Sequence, residues 1–151
     1  PRQSARAVIS TIIIQAIYGN KINLGNINAT RDFTYISDTV DAFIKAIGNK
    51  KIIGETINLG TGYEVDIRTL VKIIGKIMKK KLIIINDQKR IRPKKSEVNK
   101  LLSSNIKAKK LLKWKPKLSR EEGLKKGLEL TVDWFEKNIE EINFNSKIYN
   151  L

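Results

Sequence analysis

The sequence predicts an α/β protein, and three observations carry this prediction. Apolar residues recur at helical spacing in five separate segments. Short runs rich in β-branched and aromatic residues lie between these segments and are bounded by glycine and asparagine. A chain of 151 residues is long enough to bury a core, and strands that alternate with helices are typical of α/β folds.

The first half of the chain is predicted to hold two helices and three strands. Their predicted bounds are a helix from a Ser4 cap to Gly19, strands over residues 22–24 and 31–36, a helix from a Ser37 cap to Gly48, and a strand over residues 55–59. The apolar residues predicted to face inward are Val8, Ile9, Ile12, Ile13 and Ile17 on the first helix and Val40, Phe43, Ile44 and Ile47 on the second.

The second half follows the same alternation. The glycines of Gly60-Thr61-Gly62 predict a turn, Asp66 caps a helix, and the segment from 87 to 103 is a long polar loop. The remaining predicted elements are a strand over 81–85, a helix over 104–112, a last helix that begins with the capping box of Ser119 and Glu122, and a weakly ordered tail over 140–151. The residues predicted to be buried are Ile67, Leu70, Val71, Ile74, Ile77 and Met78 on the third helix and Leu124, Leu128, Val132, Phe135 and Ile139 on the last.

The composition excludes several kinds of chemistry. The chain has no Cys and no His, which excludes disulfides, thiolate metal sites and any Ser-His-Asp hydrolysis within it. Thirty Lys and Arg against fifteen Asp and Glu give a net charge of +15. A charge of this sign and size is typical of proteins that bind nucleic acid. We instead predict a solvated basic surface, because Phe43, Trp134 and Phe135 are expected on or beside buried stripes and not among the lysines. No apolar run approaches the ~18 residues of a membrane span.

The motifs point away from catalysis within this chain. Gly60-Thr61-Gly62 resembles the start of a dinucleotide fingerprint, but Val65 stands where the third glycine belongs. No tyrosine is followed by a lysine four residues later. We therefore predict no catalytic, cofactor-binding or metal-binding residue here. Arg31, at the start of a strand, and Arg92, beside Pro93 in the long loop, suit a diphosphate because each guanidinium is a permanently charged planar fork; surface arginines remain the alternative at this point.

Five motifs in order resemble the extended short-chain dehydrogenases/reductases, the family of NAD-dependent epimerases and dehydratases. The R-D-[FW]-x-Y-[IV]-x-D stretch is matched by residues 31–38. The other matches are a strand over 55–60, the Arg92-Pro93 pair, an L-G-W-x-P segment over 112–116 with Lys113 in place of glycine, and an S-x-E-E-G-L helix start over 119–124. Residues 1–9 and 90–98 most resemble nucleotide-sugar 4,6-dehydratases of the legionaminic-acid type, which act on nucleotide-linked N-acetylglucosamine.

This resemblance implies the C-terminal part of such an enzyme. Residues 1–139 correspond to the substrate-binding portion, with Thr56–Leu59 as an edge strand of the parent Rossmann sheet, and residues 140–151 to a tail. The sequence begins with Pro1, and the family's NAD-binding domain, its Tyr-x-x-x-Lys pair and its acid/base residues belong upstream of it. NAD is therefore expected to be bound by that missing N-terminal half.

The resemblance also implies a set of substrate-binding residues. Arg31 and Arg92 correspond to diphosphate ligands, with Asn58 contacting the same nucleotide portion. The remaining positions are Asn23 and Leu24, which line the base or ribose with backbone groups, Ala7 and Val8, which close over the nucleotide, and Ser96 and Glu97, which touch the ribose.

The expected function is substrate binding in an NAD-dependent 4,6-dehydratase of UDP- or GDP-N-acetylglucosamine. The family relatives that remain open are C4-epimerases and decarboxylases, and a basic nucleic-acid-binding module or a non-catalytic scaffold remnant are alternatives of other classes. The expected partner is the nucleotide sugar, with no nucleic acid and no membrane, in a cytoplasmic enzyme that is a homodimer when complete.

Overall fold

The structure is a computed structural model that describes residues 7–91, 93 and 96–141. Within these residues the helices are α1 (Val8–Tyr18), α2 (Ile36–Ala46), α3 (Ile67–Ile77), α4 (Ile106–Leu112) and α5 (Arg120–Lys137). The strands are β1 (Lys21–Leu24), β2 (Thr30–Asp32), β3 (Glu64–Asp66), β4 (Ile83–Asn86) and β5 (Lys100–Leu101). Single 3₁₀ turns lie at Lys50–Ile52, Gln88–Arg90 and Ile139–Glu141. Helices and strands are mixed along the chain, but the predicted alternation is not strict, because β1 and β2, and α4 and α5, follow one another directly, and among the described residues only a 3₁₀ turn lies between β4 and β5.

The chain divides into two compact units. Unit one consists of residues 1–29, 66–97 and 128–151. Unit two consists of residues 30–65 and 98–127.

Unit one contains a two-stranded parallel sheet. β1 and β4 pair in register, with Lys21 opposite Ile83 and Leu24 opposite Asn86. Because the strands are parallel, their carboxyl ends meet at the same edge of the sheet. Both strands were predicted, although β4 begins two residues later than expected.

The helices of unit one are buried to different extents. α3 begins at the predicted cap, where Asp66 Oδ1 accepts a hydrogen bond of 2.8 Å from the Thr69 N–H. On α1 the predicted single stripe is wrong: Ser10, Thr11, Ile14 and Ala16 are buried together with Ile12 and Ile13, whereas Val8, Ile9 and Ile17 are only partly buried. A helix this apolar is enclosed on most of its circumference and therefore has no single inward stripe. The predicted Ser4 cap lies outside the described residues.

Unit two contains a three-stranded sheet in the order β3-β2-β5. β2 and β5 are parallel, with Arg31 opposite Leu101. The predicted strand over 31–36 is too long, because the chain already turns into α2 at Ile36. β3 and β5 were not predicted, since two or three residues are too few to show the alternation of a strand.

α2 is anchored by a buried carboxylate. Asp38 is 1% exposed, and its two carboxylate oxygens accept hydrogen bonds from the N–H groups of Lys117 and Leu118, each at 2.9 Å. Its backbone carbonyl accepts a bond of 2.9 Å from Trp114 Nε1. The predicted Ser37 cap is wrong: Tyr35 is the N-cap residue and makes no side-chain capping bond.

The inward face of α2 is also not the predicted one. The inward residues are Asp38, Ala42 and Ala46, and Ala42 packs in one cluster with Ala108, Leu112 and Trp114. The side chains predicted to be buried are exposed, at 47% for Val40, 65% for Phe43, 63% for Ile44 and 81% for Ile47. Because Ala42 and Ala46 are small, the bulky Trp114 can approach this side of α2. The more apolar stripe, formed by the exposed residues just named, therefore faces solvent. We call this stripe, with Ile36, the α2 apolar face.

Residues 55–59 form no strand in the structure, contrary to the prediction. The alternation that suggested a strand is nevertheless visible in the burial, because Ile57 and Leu59 pack on the Trp114 cluster while Asn58 between them is exposed. No ladder partner for this segment is present within the described part of the chain.

The C-terminal helices follow the predicted pattern. α4 begins two residues later than predicted, and Lys113 follows it in the left-handed conformation (φ 53°). On α5, Leu124, Leu128, Val132 and Phe135 are buried as predicted. Most of the predicted tail, from residue 142 onward, lies outside the described residues.

Candidate functional site

The first group of predicted site residues lies at the carboxyl edge of the sheet in unit one. Asn23 and Leu24 end β1, and the turn at Gln88–Arg90 follows the neighbouring β4. Loops at the carboxyl ends of parallel strands are the usual ligand-binding position in open α/β sheets.

A close backbone approach holds this edge together. A Cβ on Gly25 would lie 2.4 Å from the Arg90 carbonyl oxygen, so only glycine fits there. The Asp87 N–H also donates to the Leu24 carbonyl at 2.9 Å. The end of β1 is therefore fixed against the start of the loop that leads to Arg92, which itself lies outside the described residues.

The backbone of Asn23 is already partly engaged. Its N–H donates to Gln15 Oε1 at 2.8 Å, and its carbonyl accepts from Gln15 Nε2 at 3.3 Å. A carbonyl oxygen has two lone pairs, so Asn23 and Leu24 each keep capacity to accept a second bond. No pattern in the sequence indicated that Gln15 would orient this strand end.

The other predicted residues of unit one lie at segment ends. Ala7 is the N-cap of α1 and has no side-chain group to cap the helix, which begins at Val8. Ser96 is exposed, and both its N–H and its hydroxyl donate to the Pro93 carbonyl, at 2.8 and 3.0 Å. The Glu97 N–H donates to the same carbonyl at 3.1 Å, so Ser96 and Glu97 are both tied to Pro93.

The second group lies in unit two. Arg31 is half-buried on β2, and its Nη1 donates to the Thr30 carbonyl at 2.7 Å. Asn58 is exposed in the segment that leads to the turn at Gly60. The structure therefore brings Leu24 together with the arginine-bearing loop in unit one, and carries Arg31 and Asn58 in unit two.

Asp32 is a residue whose importance was missed. Its Oδ1 accepts bonds from the Thr61 N–H at 2.9 Å and the Thr61 hydroxyl at 2.6 Å. Its Oδ2 accepts from the Gly62 N–H at 2.9 Å and the Ser103 N–H at 3.4 Å. A signal was present in the sequence, since an aspartate and a Gly-x-Gly turn are natural partners, but the 29 residues that separate Asp32 from Thr61 concealed the pairing.

The Gly60-Thr61-Gly62 turn does not fit a dinucleotide cofactor. In a dinucleotide site such backbone N–H groups face a pyrophosphate, whereas here the N–H groups of Thr61 and Gly62 are bound by the Asp32 carboxylate. A negatively charged pyrophosphate would be repelled by this carboxylate. The nearby crevice between Phe33, Tyr63 and Leu124 is too narrow to admit a water molecule.

The charges beside Arg31 are paired across the sheet. Glu64 on β3 accepts a bond from the Thr30 hydroxyl at 2.7 Å and forms an ion pair with Lys100 on β5 at 2.6 Å. The hydrogen bond from Lys100, followed by that from Thr30, lowers the pKa of Glu64 below its ordinary value. Glu64 therefore remains charged and is no candidate for an acid at neutral pH.

Two further kinds of site are absent from the part of the chain that the structure describes. The described residues contain no group of three or more acidic side chains arranged to hold a metal ion. Across the same part of the chain, no helix combines the length and apolar character needed to cross a membrane.

Comparison with known proteins gives consistent matches. The family model for GDP-mannose 4,6 dehydratase matches residues 1–127. A UDP-glucuronate 4-epimerase of Thermodesulfobacterium geofontis is 36% identical over 117 residues, 77% of this chain and 33% of that protein. A dTDP-D-glucose 4,6-dehydratase of Mus musculus is 31% identical over 110 residues, 72% of this chain and 30% of that protein. The chain thus spans about a third of the length of these curated relatives.

A solved structure agrees with these relatives. The crystal structure of UDP-glucuronic acid 4-epimerase from Bacillus cereus, in complex with UDP-glucuronic acid and NAD, matches with a TM-score of 0.79 at 29% identity. The match covers 91% of this chain and 42% of that one. This likeness confirms the predicted fold class, including the partial parallel sheet.

Proposed function

Because the chain belongs to the GDP-mannose 4,6-dehydratase-like family of NAD-dependent epimerases and dehydratases, within the extended short-chain dehydrogenases/reductases, we propose that it provides the nucleotide-sugar-binding part of such an enzyme. The observation that carries this proposal is the carboxyl edge of β1 and β4, where the strand end at Leu24 is fixed against the start of the loop that leads to Arg92. Arginines on such a loop suit the diphosphate of a nucleotide sugar.

The proposed ligands are those that the family motifs indicate. Arg31 and Arg92 bind the diphosphate, and Asn58 contacts the same portion of the nucleotide. The other proposed contacts are Asn23 and Leu24 to the base or ribose, Ala7 and Val8 over the nucleotide, and Ser96 and Glu97 to the ribose. Binding the diphosphate positions the hexose for the chemistry, which is the contribution of such residues to catalysis.

We propose that the reaction of the complete protein is 4,6-dehydration of a UDP- or GDP-linked N-acetylglucosamine. The support is the similarity of residues 1–9 and 90–98 to dehydratases of the legionaminic-acid type, and the family model itself describes a 4,6-dehydratase. A 4-epimerase is the second candidate, because the T. geofontis relative and the B. cereus structure are 4-epimerases.

NAD is proposed to bind outside this chain, in an N-terminal part that residues 1–151 do not span. Two features of unit two support the proposal that a further part of the protein packs against it. The α2 apolar face exposes large side chains to solvent, and residues 55–59 alternate like an edge strand without a ladder partner among the described residues. An additional α/β half would cover the α2 apolar face and pair with residues 55–59.

The direct test is titration of the 151-residue chain with UDP, GDP and NAD, followed by calorimetry or NMR. We expect saturable binding of UDP or GDP and none of NAD. Saturable micromolar binding of NAD would contradict the assignment of the cofactor to another part of the protein, and failure of both nucleoside diphosphates to bind would remove the proposed function.

Substitution of Arg31 tests the diphosphate contact. Truncating one partner of a buried charge pair costs ~2–5 kcal/mol, and since Arg31 is only half-buried we expect Arg31→Ala to lose about 2 kcal/mol of binding, at the low end of that range. Arg31→Lys should restore only part, because an ammonium lacks the planar fork. The matched control is Arg68→Ala, an exposed arginine on α3, which should leave affinity unchanged.

Arg92 should belong to the same clamp. Arg92→Ala is expected to weaken binding as Arg31→Ala does. If both arginines hold one diphosphate, the double variant should lose less than the sum of the two losses. Strict additivity would indicate two separate sites.

A further inference from the structure

The proposed function assigns no role to Asp32, although its side chain accepts several hydrogen bonds. Its carboxylate binds the turn at Thr61 and Gly62 and the Ser103 backbone, with four accepted hydrogen bonds between 2.6 and 3.4 Å. All four donors lie in unit two, as Asp32 does. We call this arrangement the Asp32 knot.

The knot joins three separate segments. Asp32 ends β2, the turn at Thr61 follows the segment that carries Asn58, and Ser103 follows β5. The packing is close: a Cβ on Gly60 would lie 2.8 Å from Asp32 Oδ2 and 2.3 Å from the Ser103 Cβ. Asn105 adds a fourth tie, since its Nδ2 donates to the Gly60 carbonyl at 3.1 Å. The three segments therefore cannot shift independently.

The knot lies directly beside proposed diphosphate ligands. Arg31 precedes Asp32 on β2, so the two side chains leave opposite faces of the strand. Asn58 precedes Gly60 by two residues. The carboxylate thus fixes, from one face, the strand and the segment that carry the ligands.

We infer that Asp32 is a positioning residue for the diphosphate site: by fixing the end of β2 against the 60–62 turn it sets the placement of Arg31 relative to Asn58. This inference rests on the proposed function, because it assigns Arg31 and Asn58 to the diphosphate. The physical reason is preorganisation, since a misplacement of ~1 Å can cost ~10²-fold in a site that depends on geometry.

The test compares nucleotide affinity with stability in the 151-residue chain. Asp32→Asn keeps the shape but leaves only one accepting oxygen, and its new NH₂ group opposes N–H donors. We expect it to weaken binding of UDP, or of GDP if that binds more tightly, by ~10-fold, within the range that such a misplacement allows. Thr61→Val removes the hydroxyl that donates to Asp32 and accepts from the Tyr63 N–H, but it keeps the Thr61 N–H bond to Asp32, and it should give a smaller loss in the same direction.

The control is Asp66→Asn. Asp66 also accepts from one backbone N–H and one hydroxyl, both of Thr69 at 2.8 Å, but none of the proposed ligands adjoins it. Its substitution should lower the thermal midpoint without changing the dissociation constant. All constants are measured well below the midpoint of the least stable variant, so that each protein is folded.

A second readout separates positioning from general weakening. In the Arg31→Ala background, Asp32→Asn should have little further effect on affinity, because the residue it positions is gone. If Asp32→Asn lowers the midpoint but leaves the dissociation constant unchanged, or if the two losses simply add, Asp32 is only structural and the inference is wrong while the proposed function stands. If Arg31→Ala itself leaves affinity unchanged, the proposed diphosphate role of Arg31 and this inference both fail, whereas the proposed function fails only if neither UDP nor GDP binds.

Discussion

Asp38 shows how one side chain can determine the orientation of a helix. A carboxylate that is 1% exposed is costly to bury unless its oxygens are bound. Here both oxygens are bound, by the N–H groups of Lys117 and Leu118. The short loop between α4 and α5 and the inward face of α2 are therefore held by the same residue.

We predict that Asp38→Ala destabilises the protein strongly. Removing the acceptor leaves two backbone N–H groups without partners, and a buried unsatisfied donor costs ~1–3 kcal/mol. Urea unfolding of the 151-residue chain measures this loss. Asp41→Ala on the same helix is the control: it removes a partly exposed ion pair with Lys45, which solvent screens, and should lower the midpoint much less. Equal effects of the two substitutions would contradict the role given to Asp38.

Single residues also mark the limit of prediction from sequence. The Asp66 cap was predicted correctly because its side chain binds the Thr69 N–H three residues later, a purely local interaction. The Ser37 cap was wrong because α2 is fixed instead by Asp38, through bonds to Lys117 and Leu118 about 80 residues away. Arg31 was singled out from its motif and stays a prediction, whereas Asp32 beside it binds Thr61 and Ser103, which no local pattern connects.

At the scale of elements, length decides what the sequence can predict. α3 and α5 extend over several turns, and their apolar spacing predicted the buried residues Leu70, Val71, Leu128 and Phe135. β3 and β5 have three and two residues, too few for a period. They are held instead by side chains, because Glu64 on β3 binds both Thr30 on β2 and Lys100 on β5.

We predict that Glu64 makes the stability of this sheet depend on acid pH. The folded state lowers its pKa, chiefly through the Lys100 hydrogen bond, from an ordinary value of 4.5. A lowered carboxyl pKa stabilises the protein above the unfolded value, and the stabilisation is lost as the pH falls from about 4.5 through the folded pKa. Glu64→Gln should therefore be less stable than the parent at neutral pH, with the difference vanishing below this window.

The check is urea unfolding of both proteins across this pH range, at low and high salt. Salt should reduce the difference at neutral pH, because Lys100 is 64% exposed and the pair is screened. Glu136→Gln, at an exposed position on α5, serves as the control that removes one surface carboxylate away from this sheet. A constant difference at every pH would mean that the charge of Glu64 is irrelevant.

For the whole molecule, the charge of +15 raises the question of nucleic acid again. Phe43 is 65% exposed and not buried as predicted, so an aromatic side chain is available at the surface. Phe135, at 1% exposure, still cannot stack on a base. Phe43 lies within the α2 apolar face, among Val40, Ile44 and Ile47, and not in a basic groove.

We predict that duplex DNA binds only weakly and without sequence preference. Binding by diffuse lysines comes from counterion release, so affinity should fall steeply between ~50 and ~200 mM salt. Fluorescence anisotropy with two unrelated duplexes measures both properties. A complex that discriminates between the duplexes and survives at ~0.2 M salt would support a nucleic-acid-binding module.

The division into two units has a consequence for the order in which the chain can fold as it is synthesised. Every residue of unit two lies at or before residue 127. Unit one begins first, with residues 1–29, yet its last segment starts only at Leu128. The buried residues Leu128, Val132 and Phe135 therefore reach unit one after every residue of unit two has emerged from the ribosome. A ribosome stalled after Gly127 would hold a chain in which the later unit is complete in sequence and the earlier one is not.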